Sequence, residues 1–301
     1  MPLRRSDLGD FAYFVSIAKQ GSFRAAAIEM GVSASALSHA ISGLEERLGL
    51  RLLNRTTRSV TLTTAGEALL QSIDGPLGDI EQAMEDLNRF RDKPAGRIRI
   101  NVLEDAASQL LTPVLPVFIE RYPDVEIDIS VNNRLIDIIA SGFDAGIRHG
   151  GTVPEDMIAQ RLSPDFRWRT AASPAYIERF GRPNHPGELA SHRCVRFRLG
   201  NDQVYPWEFD AAGEIINVDV AGPITVRDSH TMLDLGLRGA GIIYGPEPVL
   251  SRYAASGQLE WLLESYAPVG PGYHMYYSSR KHLPTGLRLL IELIRELRPC
   301  G

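Results

Sequence analysis

The sequence predicts three parts in chain order: a winged helix-turn-helix, a linker helix and an α/β domain of two lobes. Two capped helices with a short turn between them lie near the N-terminus, and a helix with a narrow apolar seam follows. Strand-like and helix-like patterns then alternate to the end of the chain. We place the three parts at residues 1–63, 64–93 and 94–301. A chain of 301 residues is long enough for all of them.

The first part is predicted to hold three helices. A stripe of apolar residues predicts a first helix that Gly21 ends, and Ser22 is placed to cap a second helix over 23–30. Two residues later, Ser33 is placed to cap a third helix over 33–47. Apolar residues spaced by four, three and four positions form the buried stripe of that helix: Leu37, Ile41, Leu44 and Leu48. Two helices joined by so short a turn predict a helix-turn-helix.

The opposite face of the third helix carries small polar side chains, where a solvated helix usually carries Glu and Lys. Short side chains let a helix enter the major groove of DNA closely, and Ser and His can hydrogen-bond base edges or phosphates. We therefore predict DNA contacts from this face, through Ser33, Ala34, Ser35, Ser38, His39 and Ser42. The alternative is a three-helix domain that packs on a protein partner.

A short β-hairpin is predicted after the third helix. The segment RLLNRTTRSVTLT is rich in Thr, Val and Leu, and residues 54–58 form its polar tip. Such a hairpin is the wing of a winged helix-turn-helix. Its arginines can reach phosphates or enter a narrowed minor groove: Arg51, Arg55 and Arg58.

The linker helix is predicted to begin with a capping box formed by Thr64 and Glu67. Its apolar residues follow a heptad pattern, which favours pairing with a second copy of the same helix: Ile73, Leu77, Ile80, Met84 and Leu87. Pro76, which follows Gly75, removes one backbone hydrogen bond and predicts a kink. Two short helices broken at Gly75 are the alternative.

The remaining residues, 94–301, alternate between strand and helix patterns. Strands are predicted over 98–102, 125–131 and the run FDAGIRHG, then near 166–172, 193–199, 215–220, 241–244, 258–263 and 273–280. Helices are predicted at about 108–122, near 135–139 and at 284–297. This alternation predicts a parallel sheet covered by helices. Breaks in the pattern near 165 and 265 predict two lobes with a cleft between them: lobe I at 94–165 and 266–301, and lobe II at 166–265.

Composition narrows the class of protein. No apolar run approaches the roughly 20 residues that a membrane helix needs, and the N-terminus lacks the apolar stretch of a secretory signal. Cys194 and Cys300 lie far apart, so neither a disulfide framework nor a cysteine metal site is expected. We expect a reduced, cytoplasmic protein without a cofactor, a metal or a membrane partner.

Charge is unevenly distributed along the chain. Residues 1–63 hold eight Lys and Arg against five Asp and Glu, a net charge of +3, although the whole chain has a net charge of −5. A mildly basic N-terminal part on an acidic body fits a nucleic-acid contact at one end. The alternative is that a net charge of +3 over 63 residues has no functional meaning.

The segment GSFRAAAIEMGVSASALSHAISGLEERLGLRLLNRTTRSVTLTTAGEALL resembles the N-terminal domain of the LysR-type transcriptional regulators. The resemblance continues more weakly to the C-terminus. It implies a non-enzymatic transcription factor with a dimerising linker helix and an effector domain similar to type 2 periplasmic binding proteins. It also implies a homodimer or homotetramer that binds an imperfect palindrome in promoter DNA and changes the DNA bend when a small molecule binds. RNA polymerase is the further partner that the family suggests.

Ala34 departs from the family pattern, because many relatives have Gln there as a base contact. Alanine makes only apolar contact, for example with a thymine methyl group. Base recognition is then expected to depend more on Ser35, Ser38 and His39.

In the family, the effector lies between the lobes, and eight residues occupy the corresponding places here: Glu104, Asp105, Asn132, Asn133, Arg148, Arg167, Ser229 and His230. Ser229 is placed to cap a helix whose N-terminus attracts anions. Arginine can hold a carboxylate bidentately, and Arg196 and Arg198 are further candidates. Glu104 and Asp105 favour instead a cationic or hydroxyl-bearing ligand, so the effector's chemistry stays open. For each arginine the alternative is a salt bridge, and for Ser229 a plain helix cap.

Three other classes fit the sequence less well. An enzyme is disfavoured because Asp228, Ser229 and His230 are adjacent in sequence, whereas catalytic triads assemble through the fold. A secreted solute-binding protein would need a signal peptide and would carry no winged helix. A redox sensor would need paired cysteines in lobe II, where Cys194 stands alone.

Overall fold

The computed structural model describes residues 5–55, 60–87, 93–278 and 283–301. The chain divides into two units, one of residues 1–92 and 139–142 and one of residues 93–138 and 143–301. Within the described ranges, no helix is both long enough and apolar enough to cross a membrane.

The first unit contains four helices and a hairpin in its described residues. In chain order these are α1 (Arg5–Gln20), α2 (Phe23–Glu29), α3 (Ala34–Leu48), β1 (Leu53–Arg55), β2 (Val60–Leu62) and α4 (Thr64–Asp86). β1 and β2 pair antiparallel. The tip of the hairpin, 56–59, lies outside the described residues. The predicted helix-turn-helix and wing strands are confirmed.

Side-chain caps define the ends of α2 and α3. The Ser22 hydroxyl accepts a hydrogen bond from the backbone N–H of Ala25 at 3.3 Å, and Ser33 accepts one from Ala36 at 3.1 Å. Gly49 ends α3 in the left-handed conformation, φ 67°, which glycine adopts without steric cost. The apolar stripe of α3 is buried in the core of this unit, with Phe14, Ile17, Leu37, Ile41, Leu44 and Leu52.

The predicted capping box of α4 is wrong by one residue. Thr63, not Thr64, caps the helix: its hydroxyl accepts from the backbone N–H of Gly66 at 3.0 Å and donates to the Arg51 carbonyl at 2.7 Å. A Cβ at Gly66 would lie 2.2 Å from the Leu52 carbonyl oxygen, so only glycine allows this close approach. Arg51 and Leu52, which precede β1, thus fix where the helix begins.

α4 is continuous through Pro76, so the alternative of two short helices is wrong; the kink stays a prediction. Its seam divides into two halves. Ile73 and Leu77 pack on the core of the first unit. Ile80, Met84 and Leu87, the last just beyond the end of α4, are 50%, 68% and 59% exposed, so this half is left uncovered by the described residues.

The second unit contains a five-stranded sheet in the order β4, β3, β5, β15, β6. The strands are β3 (Gly96–Val102), β4 (Val125–Val131), β5 (Ala145–His149), β6 (Met157–Arg161) and β15 (Tyr273–Ser278). β3 runs parallel to β4 and β5, but β15 runs antiparallel to β5 and β6. The predicted parallel sheet is therefore only partly correct, because the returning chain enters in the opposite direction.

A second sheet is built around β7 (Phe166–Ala172), which pairs antiparallel with β12 (Ile243–Pro246), β13 (Glu260–Leu262) and β14 (Val269–Gly270). Two smaller pairs accompany it: β8 (Val195–Phe197) with β11 (Ile224–Val226), and β9 (Trp207–Ala211) with β10 (Glu214–Val218). Because β14 still pairs with β7, the chain returns to the first sheet after Gly270 rather than near 265.

The helices of this unit differ from the prediction at two places. The segment 108–122 is not one helix: α5 (Glu104–Ala106) continues as a π-helix (Ala107–Leu111), and α6 (Leu115–Arg121) follows. Pro113 lies between them and disfavours helical backbone before it. No helix forms at 135–139; there the Asn132 side chain accepts the Arg134 N–H at 2.9 Å, a local turn that competes with helix.

The remaining helices are α7 (Pro174–Phe180), α8 (Ser229–Leu237), α9 (Glu247–Ala255) and α10 (Thr285–Leu297). α10 lies close to the predicted 284–297. It buries one apolar face in the core of the first sheet, through Leu287, Leu290, Ile291, Leu293 and Ile294. The second sheet has its own two cores, one around Trp207 and Tyr244 and one around Leu250. The five-stranded sheet is called lobe I below, and the sheet around β7 lobe II.

Candidate functional site

The outward face of α3 is open in the first unit. Ser33, Ala34, Ser35, His39 and Ser42 are exposed and Ser38 is half-buried, while the opposite stripe is buried. The face is therefore available for contact. Within the described residues, the His39 side chain has no hydrogen-bond partner, so its ring nitrogens are free to meet another molecule.

Several hydroxyls on this face already have protein partners. Ser33 caps the helix and also bonds the Ser35 hydroxyl at 2.9 Å. Ser42 donates to the Ser38 carbonyl at 2.8 Å. These serines stabilise the helix as well as lining its surface, which the sequence pattern did not distinguish.

The Arg55 guanidinium lies against α3 rather than extending from the wing. It donates to the Ser38 and Ser42 hydroxyls at 3.2 and 3.3 Å and pairs with the Glu45 carboxylate at 2.8 Å. It also stands over the Phe23 ring, 5.1 Å from its centre. Glu45 in turn accepts the backbone N–H groups of Leu52 and of Leu53, the first residue of β1. This network, rather than a free arm, positions Arg55 beside the outward face.

Arg51 and Arg58 are the other two arginines predicted to contact DNA. Arg51 is exposed, and its backbone carbonyl, not its side chain, forms the bond to Thr63. Arg58 lies outside the described residues.

The second unit holds a cavity of about 600 Å³ lined by residues of both lobes. Lobe I contributes Asp105, Asn133, Arg148 and 149–152, and lobe II contributes aromatic side chains and the start of α8. Small-molecule sites commonly have volumes of roughly 300–1,000 Å³ and mostly apolar walls. The cavity therefore has the size of a ligand site.

Arg148 is the most deeply buried charged group of the cavity wall, with 2% of its surface exposed. Its guanidinium donates to three neutral oxygens, the Asn132 carbonyl at 2.7 Å, the Asn101 side chain at 2.6 Å and the Arg134 carbonyl at 2.7 Å. Its buried Nε has no hydrogen-bond acceptor among the residues that the structure describes. Within the described residues Arg148 forms no ion pair, so only these neutral oxygens stabilise its positive charge.

Asp105 and His149 form a second buried group. Asp105 Oδ2 lies 2.9 Å from His149 Nε2, and Oδ1 accepts the Ala106 N–H at 2.8 Å. Burial opposes ionisation of the carboxyl, but His149 and the hydrogen bond from Ala106 contribute to an opposite effect that prevails and lowers the pKa of Asp105. The other nitrogen, His149 Nδ1, is buried without a partner in the described residues.

The lobe II side of the cavity is lined by four aromatic side chains, called the aromatic wall below: Trp168, Tyr205, Trp207 and Tyr244. Tyr244 stacks between Trp168 and Trp207, at 5.5 and 5.3 Å between ring centres. Trp207 and Tyr244 are buried, whereas Trp168 and Tyr205 are half-buried. Burial raises the pKa of both tyrosines, so their hydroxyls stay protonated.

Two contacts join the lobes beside the cavity. Glu104 Oε2 accepts the backbone N–H of Ser229 at 2.9 Å, and the Asn133 side-chain amide donates to the Arg227 carbonyl at 3.0 Å. Asp228, not Ser229, caps α8, because its carboxylate accepts the Thr231 N–H at 2.7 Å. The predicted capping role of Ser229 is wrong, although Ser229 does line the cavity.

Comparison with known proteins identifies the two units. A family model described as the LysR substrate binding domain matches residues 91–299, and one described as the bacterial regulatory helix-turn-helix protein, lysR family, matches residues 8–67. The chain belongs to the LysR-type transcriptional regulators. It is thus a DNA-binding regulator with an effector-binding domain, as the resemblance implied.

Similar LysR-type regulators span the whole chain. A putative transcriptional regulator of Pseudomonas aeruginosa is 38% identical over 99% of this chain and 97% of its own length. The uncharacterized HTH-type regulator YcaN of Escherichia coli K12 is also 38% identical, over 98% and 97%.

Solved structures agree with the fold. Full-length CrgA of Neisseria meningitidis has a TM-score of 0.62 at 28% identity, covering 96% of this chain and 98% of its own. The Vibrio cholerae virulence activator AphB, at 24% identity, has a TM-score of 0.64 and covers 96% and 98%. The predicted fold class is confirmed.

The cavity of this LysR-type regulator brings together only some of the predicted residues. Asp105, Asn133, Arg148 and Ser229 line it, and Glu104 and Asn132 bond to lining residues or their neighbours. The remaining two are placed elsewhere. Arg167 is exposed in a different groove, where it donates to the Ala267 carbonyl at 2.9 Å, and His230 is exposed and outside the cavity lining. Trp168 and Ser229, each one position away in the sequence, line the cavity instead.

Sequence reasoning missed the aromatic wall. The relevant signal is in the strands: Trp168 alternates with Phe166 along β7, and Tyr205 and Trp207 lie two residues apart. Alternation along β7 places Phe166 and Trp168 on one face, and Tyr205 lies just before β9, which begins at Trp207. Only the pairing of β7 with β12 brings Tyr244 against Trp168.

Cys194 is 1% exposed, and burial raises its pKa to about 12. A buried, protonated thiol is a poor nucleophile, which fits a structural role. Within the described ranges, no group of three His, Cys, Asp or Glu side chains could hold a metal ion.

Proposed function

We propose that this LysR-type regulator binds an imperfect palindrome in promoter DNA, with α3 of each subunit in successive major grooves. The open face of α3, with the apolar stripe buried behind it, is the observation that supports this. Ser35, Ser38 and His39 read bases, Ala34 makes apolar contact, and Arg51, Arg55 and Arg58 contact the backbone or minor groove. Ser33 and Ser42 hold the helix in shape beside the DNA.

We also propose that the chain associates with copies of itself. The exposed half of the α4 seam, Ile80, Met84 and Leu87, pairs with its copy to give a homodimer, and two dimers form a homotetramer. The regulator acts in the cytoplasm, because it must share a compartment with promoter DNA. It contacts RNA polymerase and has no catalytic activity, in keeping with relatives named as transcriptional regulators.

The cavity is proposed as the effector site. A ligand that binds one lobe arrangement better than another shifts the equilibrium between them, and with it the DNA bend. Asp105, Asn133, Arg148 and Ser229 are the residues proposed to meet the ligand.

The test is footprinting of the purified full chain on the DNA upstream of its own gene, with bend angles from circularly permuted fragments. Two protected half-sites about one or more helical turns apart are expected. The matched control is Ile80→Asp with Met84→Asp, which should protect half-sites only at higher protein concentration. Absence of protection at low salt would contradict the proposal.

A further inference from the structure

The cavity wall carries two buried polar nitrogens that have no hydrogen-bond partner among the described residues. One is Nε of Arg148 and the other is Nδ1 of His149. Leaving a buried donor unpaired is costly. Three of the five N–H groups of the Arg148 guanidinium have neutral acceptors and the rest have none among the described residues. This side of the cavity is therefore prepared for an acceptor that carries negative charge.

The carboxylates near the cavity already interact with other groups of the protein. Glu104 accepts the Ser229 N–H, and Asp105 is paired with His149 and the Ala106 N–H. Glu208, the other acidic residue of the lining, lies near the Tyr205 hydroxyl and adds to the effect of burial in raising its pKa. These carboxylates have partners within the protein, whereas Arg148 forms no ion pair with the described residues, so the cavity favours an anion over the cationic ligand that Glu104 and Asp105 suggested.

Arginines also dominate the segments next to the cavity lining. Arg134 lies between two lining residues, and Arg198 and Arg227 both bond Asp202, one to its carbonyl and one to its carboxylate. Three arginines therefore act on the single carboxylate of Asp202, so positive charge is in excess around that residue. Such a field attracts anions toward the cavity.

The opposite side of the cavity is aromatic. Trp168 and Tyr205 are half-buried at the surface of the aromatic wall, and the buried rings of Trp207 and Tyr244 support them from behind. Rings held in a stack are preorganised to receive another ring, and such contacts add about 0.5–1.5 kcal/mol beyond apolar burial.

We propose that the effector is a planar aromatic carboxylate, with its carboxylate at Arg148 and its ring against Trp168 and Tyr205. This inference rests on the proposed function, because it takes the cavity as the effector site. The cavity of about 600 Å³ exceeds the size of one ring, so a two-ring acid is the appropriate first probe.

The experiment measures binding of matched probes to the full chain without DNA, by calorimetry and by quenching of tryptophan fluorescence. The probes are naphthalene-2-carboxylate, its neutral carboxamide and the 2-naphthylmethylammonium cation, with benzoate and cyclohexanecarboxylate as a ring-against-aliphatic pair. The acid is expected to bind at least about tenfold more tightly than the amide, which corresponds to about 1.4 kcal/mol. The cation should show no saturable binding.

Variants locate the site. Arg148→Gln should abolish the preference for acid over amide, and Trp168→Leu should abolish the preference for benzoate over cyclohexanecarboxylate. The controls are Arg167→Gln and Trp261→Phe, which lie outside the cavity lining and should keep both preferences. Because Arg148 is buried, Arg148→Lys is the second variant. It keeps the charge but lacks Nε and the planar fork, so it should retain part of the preference. Circular dichroism checks that each variant folds.

Three results would overturn the inference. They are equal or tighter binding of the amide or the cation, no saturable binding of any acid at millimolar concentration, and acid binding that Arg148→Gln and Trp168→Leu leave unchanged. Failure of the DNA footprint would instead refute the proposed operator function and leave these binding results intact. The two failures are therefore distinguishable.

Discussion

The Glu104 carboxylate accepts a hydrogen bond from the backbone N–H of Ser229, the first residue of α8, at 2.9 Å. Glu104 follows β3 of lobe I, whereas α8 belongs to lobe II. A carboxylate at a helix N-terminus interacts favourably with the helix dipole and with a free N–H group. The protein thus places its own anion where the sequence suggested a ligand anion, and this contact holds the two lobes together.

Glu104→Gln is expected to weaken this contact by about 0.5–1 kcal/mol, because it removes the charge but keeps an acceptor oxygen. The measurement is hydrogen exchange at the backbone amides of residues 229–232, which should exchange faster in the variant. Glu120→Gln, at an exposed carboxyl, is the matched control. Unchanged exchange at the start of α8 would contradict the role of Glu104.

Asp105→Asn should destabilise the second unit by roughly 2 kcal/mol at pH 7, because it removes a buried carboxylate that contacts His149 Nε2 and accepts the Ala106 N–H. The pKa of Asp105 is lowered on folding, so the wild-type contribution is present above the unfolded value of about 4 and is lost as pH falls below it. Urea unfolding at pH 7 and below pH 4 tests this. The stability difference between wild type and variant should shrink at the lower pH; a constant difference would argue against an ionised Asp105.

Arg51→Ala is expected to weaken binding to all DNA duplexes alike, because the exposed side chain is proposed to contact phosphate. The slope of log K against log salt should fall in magnitude by about 0.9 for one lost phosphate contact. Fluorescence anisotropy at several salt concentrations measures it. Arg295→Ala, an exposed arginine of α10, is the control of equal charge. If both variants give the wild-type slope, Arg51 makes no phosphate contact.

His39→Ala should change the preference among operator variants without changing stability, since its side chain has no hydrogen-bond partner within the described residues. Ser33→Ala should do the reverse and lower the free energy of unfolding by about 1 kcal/mol, because it removes the cap of α3. Competition binding with single-base operator variants and thermal unfolding separate the two effects. A uniform loss of affinity in His39→Ala would exclude it from base recognition.

Arg55 and Glu45 are expected to act as a coupled pair. Arg55→Ala and Glu45→Gln should each lower DNA affinity by disturbing how the wing meets α3, and the double variant should lose less than the sum. Anisotropy on one operator fragment measures the coupling. If the losses add, Arg55 contacts DNA independently of Glu45.

The N-terminal half of the fold was accessible from sequence because its signals are local. Ser22 and Ser33 cap the helices that follow them, and the stripe from Leu37 to Leu44 is buried as its spacing predicts. Helix periodicity and caps involve residues three or four positions apart. The one local error, Thr64 in place of Thr63, arose because the contact of α4 with Leu52 decides which threonine caps the helix.

The cavity was only partly accessible, because its contacts join residues far apart in the chain. Asp105 meets His149 across 44 positions, and Glu104 meets Ser229 across 125. Sequence reasoning named Glu104, Asp105 and Ser229, but it did not predict that Glu104 contacts Ser229 or that Asp105 contacts His149, and so it left the sign of the ligand's charge open.

The sequence by itself determined the family, the helix-turn-helix and the alternation of strands and helices, because each depends on residue types at short, regular spacings. The tertiary structure decided which charges are satisfied within the protein and which are not. Pairing of distant strands and lobes occupies the carboxylates and leaves Arg148 without one, and such pairing has no short-range signature in the chain.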